Sequence, residues 1–452
     1  MSHGWSNVVG AIAALMLLLN LAGCALGQPT PEEIPPVQTP REEVPPVQTP
    51  EKEAEGLVYA ASGKPRQVAP DVPASDLDAL VAGNNRFALD LYRALRGPAG
   101  NDPDANLLYS PYSISLALAM TYVGARGETA QQMADTLHFT LSQERLHPAF
   151  NALDQALRSA DEGEDDDFRL HLVNAIWGQR GYTFREPFLD MLAQHYGAGL
   201  GILDFAAQSD AARLTINDWA SEQTEGKIED LLPQGAIDPS TILVLANAIY
   251  FNAAWRSPFP QEATRDAPFV LLDGREITVP TMQGTMRLRY AEGPGYQAVE
   301  LPYQGERFAM LIVLPEAGSY PTFADAFDAE QLERIADALQ IATFELHMPK
   351  FGYGSGFKLA DTLGEMGMPA AFQNADFSGM DGTGGLFIDN VYHKAFISVD
   401  EAGTEAAAAT AVVMARSLPE RLQINRPFVY LIRDTETGSL LFVGEVLYPS
   451  AG

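Results

Sequence analysis

Apolar and polar positions alternate with different periods along the chain. Residues 8–22 are apolar except Asn20, a run too short to read as a membrane span. From Ser75 onward the spacing is helical: Leu77, Leu80, Val81, Phe87, Ala88, Leu91 and Leu95 form one stripe, and Ser75 with Asp78 reads as a capping box ahead of it. Leu172-Val173-Asn174-Ala175-Ile176-Trp177 is a β-like run, and Ile216 to Ile228 reads as a helix followed by a turn. Ile242 to Phe251 is almost wholly apolar, as a strand buried on both faces should be, and Asn247 is its one strongly polar member. Asp273-Gly274 marks a hairpin turn, and Met310 to Leu314 a second buried strand. Strands and helices mix without βαβ regularity, so the class is α+β.

The stretch Glu401 to Ser417 carries two patterns at once. Its alanines favour an exposed helix. Read with period two, Thr404, Ala406, Ala408, Thr410, Val412 and Met414 share one face of a strand; Glu405, Ala407, Ala409, Ala411, Val413 and Ala415 share the other. Glu405 is the only charge between Thr404 and Arg416, and no proline intervenes. Such a segment can enter the middle of a sheet without burying a charge on the first face or losing a ladder N–H, and Gly403 supplies a pivot before it.

Composition narrows the options. Of 452 residues 46% are hydrophobic, ample for a core. Lys plus Arg number 29 against 59 Asp plus Glu, a net charge of −30, which argues against nucleic acid and anionic membrane surfaces as direct partners. Asp161 to Asp167 is acidic but lacks the spacing of a calcium loop and reads as a solvated turn. The single cysteine, Cys24, permits no intrachain disulfide. Residues 25–74 read as a linker: Pro31–Pro40 is nearly repeated by Arg41–Pro50, and proline at this density makes a semi-rigid spacer. Neither His-Glu-x-x-His, a Gly-x-Ser-x-Gly elbow, a P-loop nor a dinucleotide fingerprint occurs, so the chain does not read as an enzyme and no cofactor is implied.

Val399-Asp400-Glu401-Ala402-Gly403-Thr404-Glu405-Ala406-Ala407-Ala408-Ala409 resembles the hinge of inhibitory serpins, and Ile424-Asn425-Arg426-Pro427-Phe428-Val429-Tyr430 resembles the strand that follows their reactive loop. Asn106 to Ser115, Gly124 to Thr129 and Ala375 to Met380 are similar to further serpin motifs. The resemblance covers about residues 75–449 and implies one domain, 75–452. Its fold would be several helices packed on a large mixed β-sheet, with two smaller sheets and an exposed reactive loop.

The resemblance implies a suicide inhibitor of a serine protease, or else of a cysteine protease. The target forms an acyl-enzyme on the loop, and the severed loop inserts into the main sheet. About thirteen residues at about 3.3 Å span roughly 40 Å. Arginine suits trypsin-like proteases, which points to Arg416-Ser417 as the reactive bond; the commonest family register gives Ser417-Leu418, and Met414 or a neighbour remains open. By motif, Ser110, Ser113, Asn247 and His393 match a polar cluster under the sheet that lets two strands part. Trp255, Lys350 and Glu401 match the place where insertion begins. The rival reading is a serpin-like binding or structural protein; Ala406 to Ala409 argue against it. A monomer is expected, and the acidity disfavours a heparin-type cofactor. Leu21-Ala22-Gly23-Cys24 resembles a bacterial lipobox, although no Lys or Arg precedes the apolar run. Residues 1–24 would then be a signal peptide, with Cys24 lipidated as the sole membrane attachment of a secreted, cell-surface or periplasm-facing protein; an ordinary signal peptide is the alternative.

Overall fold

A computed structural model of the protein describes residues 57–96, 105–159, 168–404 and 420–449. The chain divides into two units, Met1–Glu51 and Lys52–Gly452, and every described residue belongs to the second. Cys24, the repeated proline stretch, Asp161–Asp167, and the hinge and reactive positions from Glu405 to Leu418 lie outside the described residues.

In chain order the elements are β1 (Val58–Ala60), α1 (Ala74–Leu95), β2 (Leu107–Tyr109), α2 (Pro111–Tyr122), α3 (Gly127–Thr136), α4 (Gln143–Ser159) and β3 (Phe168–Gln179). Then come α5 (Glu186–Met191), running into a π-helical turn (Leu192–Tyr196), β4 (Leu200–Leu203), α6 (Phe205–Gln223), β5 (Leu243–Ala254), β6 (Arg265–Val270) and β7 (Glu276–Gly293). The second half contains β8 (Tyr296–Pro302), β9 (Phe308–Pro315), α7 (Tyr320–Ala326), α8 (Ala329–Ala338), β10 (Gln340–Pro349) and β11 (Phe351–Lys358). It closes with α9 (Ala360–Met366), α10 (Ser378–Asp381), β12 (Asn390–Val399), β13 (Gly403–Thr404), β14 (Glu420–Gln423), β15 (Phe428–Asp434) and β16 (Leu440–Val446).

Among the described residues two mixed sheets form. One has seven strands in the order β1-β4-β3-β5-β13-β12-β11; the other has nine, running β14-β10-β7-β8-β9-β15-β16-β2 with β6 beside β7. The smaller sheets implied by the resemblance are continuous with each other through the 18-residue β7, which pairs β6 at one end, β10 along its middle and β8 at the other end.

β5 shows why its sequence carries no alternation. Leu243, Leu245, Ile249, Phe251 and Ala253 face the main core, while Val244, Ala246 and Ala248 face a second apolar layer under α6, with Trp177, Ile216 and Ala220. Both faces are dry, so both parities are apolar. α2 is buried along its whole length, which requires apolar residues all round. It starts at Ser110, whose Oγ accepts from Ser113 N at 3.2 Å, with Pro111 in the first turn where a missing N–H costs nothing.

Two expectations change. The capping box at Ser75 and Asp78 does not form: α1 begins two residues earlier, with Pro73 at the cap position and no side-chain cap. The inward carboxylate is Asp76, which accepts from Arg145 Nε at 2.9 Å, while Asp78 is exposed. The linker assigned to 25–74 does not extend to 74, because residues 57–73 lie against the body. β1 pairs antiparallel with β4, Val58 opposite Ile202 and Ala60 opposite Leu200. Beyond it Ser62 Oγ and Lys64 Nζ donate to Asp190 at 2.5 and 2.7 Å. Arg66 reaches Asn151 Oδ1 at 2.8 Å and Asp154 Oδ2 at 2.6 Å. Gln67 N donates to Gln194 O at 2.9 Å. The dense prolines stop at Pro50, and the short β-run that follows can pair once the rest of the chain supplies an edge.

Candidate functional site

The last two described residues of the hinge, Gly403 and Thr404, form a strand between β5 and β12. A tight turn delivers it: Asp400 N donates to Gly403 O at 2.9 Å, and Asp400 Oδ1 accepts from Ala402 N at 2.8 Å. Trp255 fastens the turn, its indole Nε1 donating to Asp400 O at 3.0 Å and its backbone N to Ala402 O at 2.9 Å. Gly403 has a steric reason beyond the pivot expected of it. A Cβ there would stand 2.2 Å from Ala253 O and 2.7 Å from Ala254 Cα.

Lys350, Glu401 and Trp255 are brought together at this point. Lys350 Nζ donates to Glu401 Oε2 at 2.7 Å and Thr264 Oγ1 to Oε1 at 2.6 Å. Glu401 is 6% exposed, so this pair is not an ordinary surface salt bridge. Burial opposes ionisation of the carboxyl, but the bonds from Lys350 and Thr264 outweigh it and hold its pKa below the usual range. Thr404 Oγ1 lies 3.0 Å from Tyr303 OH in a buried contact, and Tyr303 stacks on Trp255 with ring centroids 4.6 Å apart. Thr264 and Tyr303 carry no sequence signal of their own. Each reaches the hinge from a distant turn.

Ser110, Ser113, Asn247 and His393 also meet, and all are buried. Asn247 on β5 and His393 on β12 are register partners, joined through Asn247 Oδ1 and His393 Nδ1. Ser110 N donates to His393 Nε2 at 3.1 Å, and Phe357 stacks on the imidazole. Burial drives the His393 pKa down to about 3, in keeping with a neutral ring that accepts at Nε2. Asn247 Nδ2 donates to Ser113 Oγ at 2.7 Å and to Asn174 Oδ1. Asn174, opposite Asn247 on β3, completes a polar row across three strands. Sequence reasoning passed over it although it carries the signal that marked Asn247, one polar residue in an apolar run.

Among the described residues no group of three His, Cys, Asp or Glu side chains could hold a metal ion, and no helix is long and apolar enough to cross a membrane.

Residues 82–449 match the family model described as serpin, serine protease inhibitor. A serpin-like protein of Thermococcus kodakarensis is 40% identical over 374 residues, 81% of this chain and 85% of that one. The leukocyte elastase inhibitor of Sus scrofa is 38% identical over 386 residues, 82% of this chain and all of its own. The native-state crystal structure of the thermophilic serpin tengpin superposes with a TM-score of 0.76 at 28% identity, covering 86% of this chain and 99% of tengpin. The hinge strand between β5 and β12, the polar row beneath it and these likenesses agree: the chain belongs to the serpin family.

Proposed function

We propose that the protein inhibits trypsin-like serine proteases as a suicide substrate. The protease's own serine attacks the loop, at Arg416-Ser417 in our reading, with Ser417-Leu418 and the vicinity of Met414 as the other positions. The freed segment then enters the main sheet between β5 and β12, carrying the acyl-enzyme with it before water can complete hydrolysis.

The register at the hinge carries this reading. Thr404 faces Ala253 on β5 and Val399 on β12, antiparallel to both. Six residues further along the loop is Thr410. Six residues back from Ala253 is Asn247, and six back from Val399 is His393. Asn247 and His393 are already each other's partners. A strand continuing from Thr404 therefore fits both neighbours with no slip of β5 against β12. Thr410 would take its place between Asn247 and His393, and the face of Thr404, Ala406, Ala408, Thr410, Val412 and Met414 would turn to the main core. The opposite face of small residues would lie toward α6, and Glu405, near the sheet end, is its one charge.

The test is incubation with trypsin and a denaturing gel. A covalent complex, with the released C-terminal fragment beginning at Ser417 by mass, is expected; cleavage without a complex overturns the inhibitory reading. We further propose that residues 1–23 are removed and that Cys24, then the N-terminal residue, bears a lipid. The mass of the protein extracted from bacterial membranes, with and without Cys24→Ala, tests this.

A further inference from the structure

The polar row has a direction. Ser110 N–H can only donate, and it donates to His393 Nε2 at 3.1 Å. The imidazole must therefore carry its proton on Nδ1, and Nδ1 donates to Asn247 Oδ1. That turns Asn247 Nδ2 away from β12, toward Ser113 Oγ at 2.7 Å and Asn174 Oδ1. Ser113 Oγ also donates to Asn174 Oδ1, at 3.1 Å. With its oxygen committed twice, Asn174 has its amide nitrogen pointing elsewhere, and that Nδ2 is buried with no hydrogen-bond partner. A backbone N–H that cannot reverse thus dictates, three residues away, an unsatisfied donor.

Orphaned buried donors are rare and costly, more so than orphaned acceptors. This one sits on the β5 side of the boundary that must open. Of the side-chain bonds in the row, Asn247–His393 is the one that crosses from β5 to β12. Once it is broken nothing holds the Asn247 amide in its present sense. Asn247 and Asn174 can then both turn over, so that Asn174 Nδ2 donates to Asn247 Oδ1 and an oxygen, the less costly group, is left in its place.

We infer that Asn174 is a positioning residue for loop insertion: its unpaired amide nitrogen destabilises the closed sheet and is relieved when β5 parts from β12. Replacing Asn174 removes the unpaired donor and the relief gained on opening, but also the oxygen that accepts from Asn247 Nδ2 and Ser113 Oγ. The rate of opening rather than the resting stability therefore separates this role from loss of an ordinary structural contact, which would speed opening. This inference rests on the insertion reading above.

The experiment uses the full chain and the variants Asn174→Leu, nearly isosteric and without polar atoms, and Asn174→Ala. Each is incubated uncleaved with a synthetic peptide of the sequence of residues 404–415, and annealing is followed on native gels beside thermal melts. We expect both variants to anneal the peptide at least about fivefold more slowly than the parent, even where the two lost bonds to Asn174 Oδ1 lower the melting temperature. An annealing rate unchanged or faster in both variants overturns the inference, whatever the melting temperature. If Asn174→Leu fails to fold, Asn174→Ala decides by the same criteria. A parent that anneals no peptide defeats the insertion reading itself, whereas a parent that anneals it as fast as the variants defeats only the role of Asn174.

Discussion

Thr404 concentrates the argument at the scale of single residues. It is fully buried, against Tyr303, and is the first loop side chain on the core face. Arginine cannot occupy that position without leaving a charge in apolar surroundings, so Thr404→Arg should keep the hinge out of the slot. The expected result is a folded protein that trypsin cleaves as a substrate with no covalent complex on a denaturing gel. A variant that still traps protease would contradict insertion from Thr404. Two histidines set a pH dependence of another kind. His393 and His147 are buried, and burial takes each pKa down to about 3. The folded protein keeps both neutral until that pH, while the unfolded chain protonates them near 6.5. Their contribution is therefore complete above pH 6.5 and is lost as pH falls from 6.5 toward 3, by up to about 1.4 kcal/mol per unit for each. Urea midpoints between pH 7.5 and 5 should fall accordingly, and His147→Gln should make the fall shallower.

At the scale of elements, the segment around β1 makes the clearest claim. Arg66 holds it to α4 through Asn151 and the buried Asp154. Arg158 also reaches Asp154, at 2.9 Å, so Arg66→Ala leaves the carboxylate one partner rather than none. A loss of about 1–2 kcal/mol is expected, read as a fall of a few degrees in melting temperature; no change would show that Arg66 does not fasten the segment. β1 was illegible because three residues pair only after β4 supplies an edge far along the chain. β5 and β9 were legible because strands covered on both faces show unbroken apolar runs. That Ser110, Ser113, Asn247 and His393 meet, and that Trp255, Lys350 and Glu401 do, was legible through the resemblance to serpins rather than through periodicity. The capping box failed because Pro73 already sets the start of α1 and Asp76 is drawn to Arg145, contacts that local spacing does not encode. Thr264 and Tyr303 were missed for the same reason: their partners lie more than a hundred residues away.

At the scale of the whole molecule, the join between β5 and β12 decides what the main sheet can accept. β5 and β12 run parallel and meet directly from Asn390 to Phe396, while at the Val399 end the two residues of β13 already hold them apart. An antiparallel strand placed between them would gain two ladders in exchange for the one parallel pairing, and antiparallel pairing is the more stable per residue. It would also bury Val412 and Met414 in the core below. The uncut loop is tethered at Thr404 and Glu420, so its full entry is opposed by connectivity rather than by the slot; cleavage removes that restraint. On the proposed mechanism the intact protein would be a kinetically held state, whose lifetime would contribute to its apparent stability. No disulfide contributes, since Cys24 is the sole cysteine. Cleavage near Arg416 should therefore raise the melting temperature by at least about 10 °C, the shift that a gain of about 8 kcal/mol gives in a domain of this size. Scanning calorimetry of intact and trypsin-cleaved protein, with Thr404→Arg as the control whose hinge cannot enter, measures it. A cleaved parent that melts where the intact one does would mean that the slot between β5 and β12 stays closed.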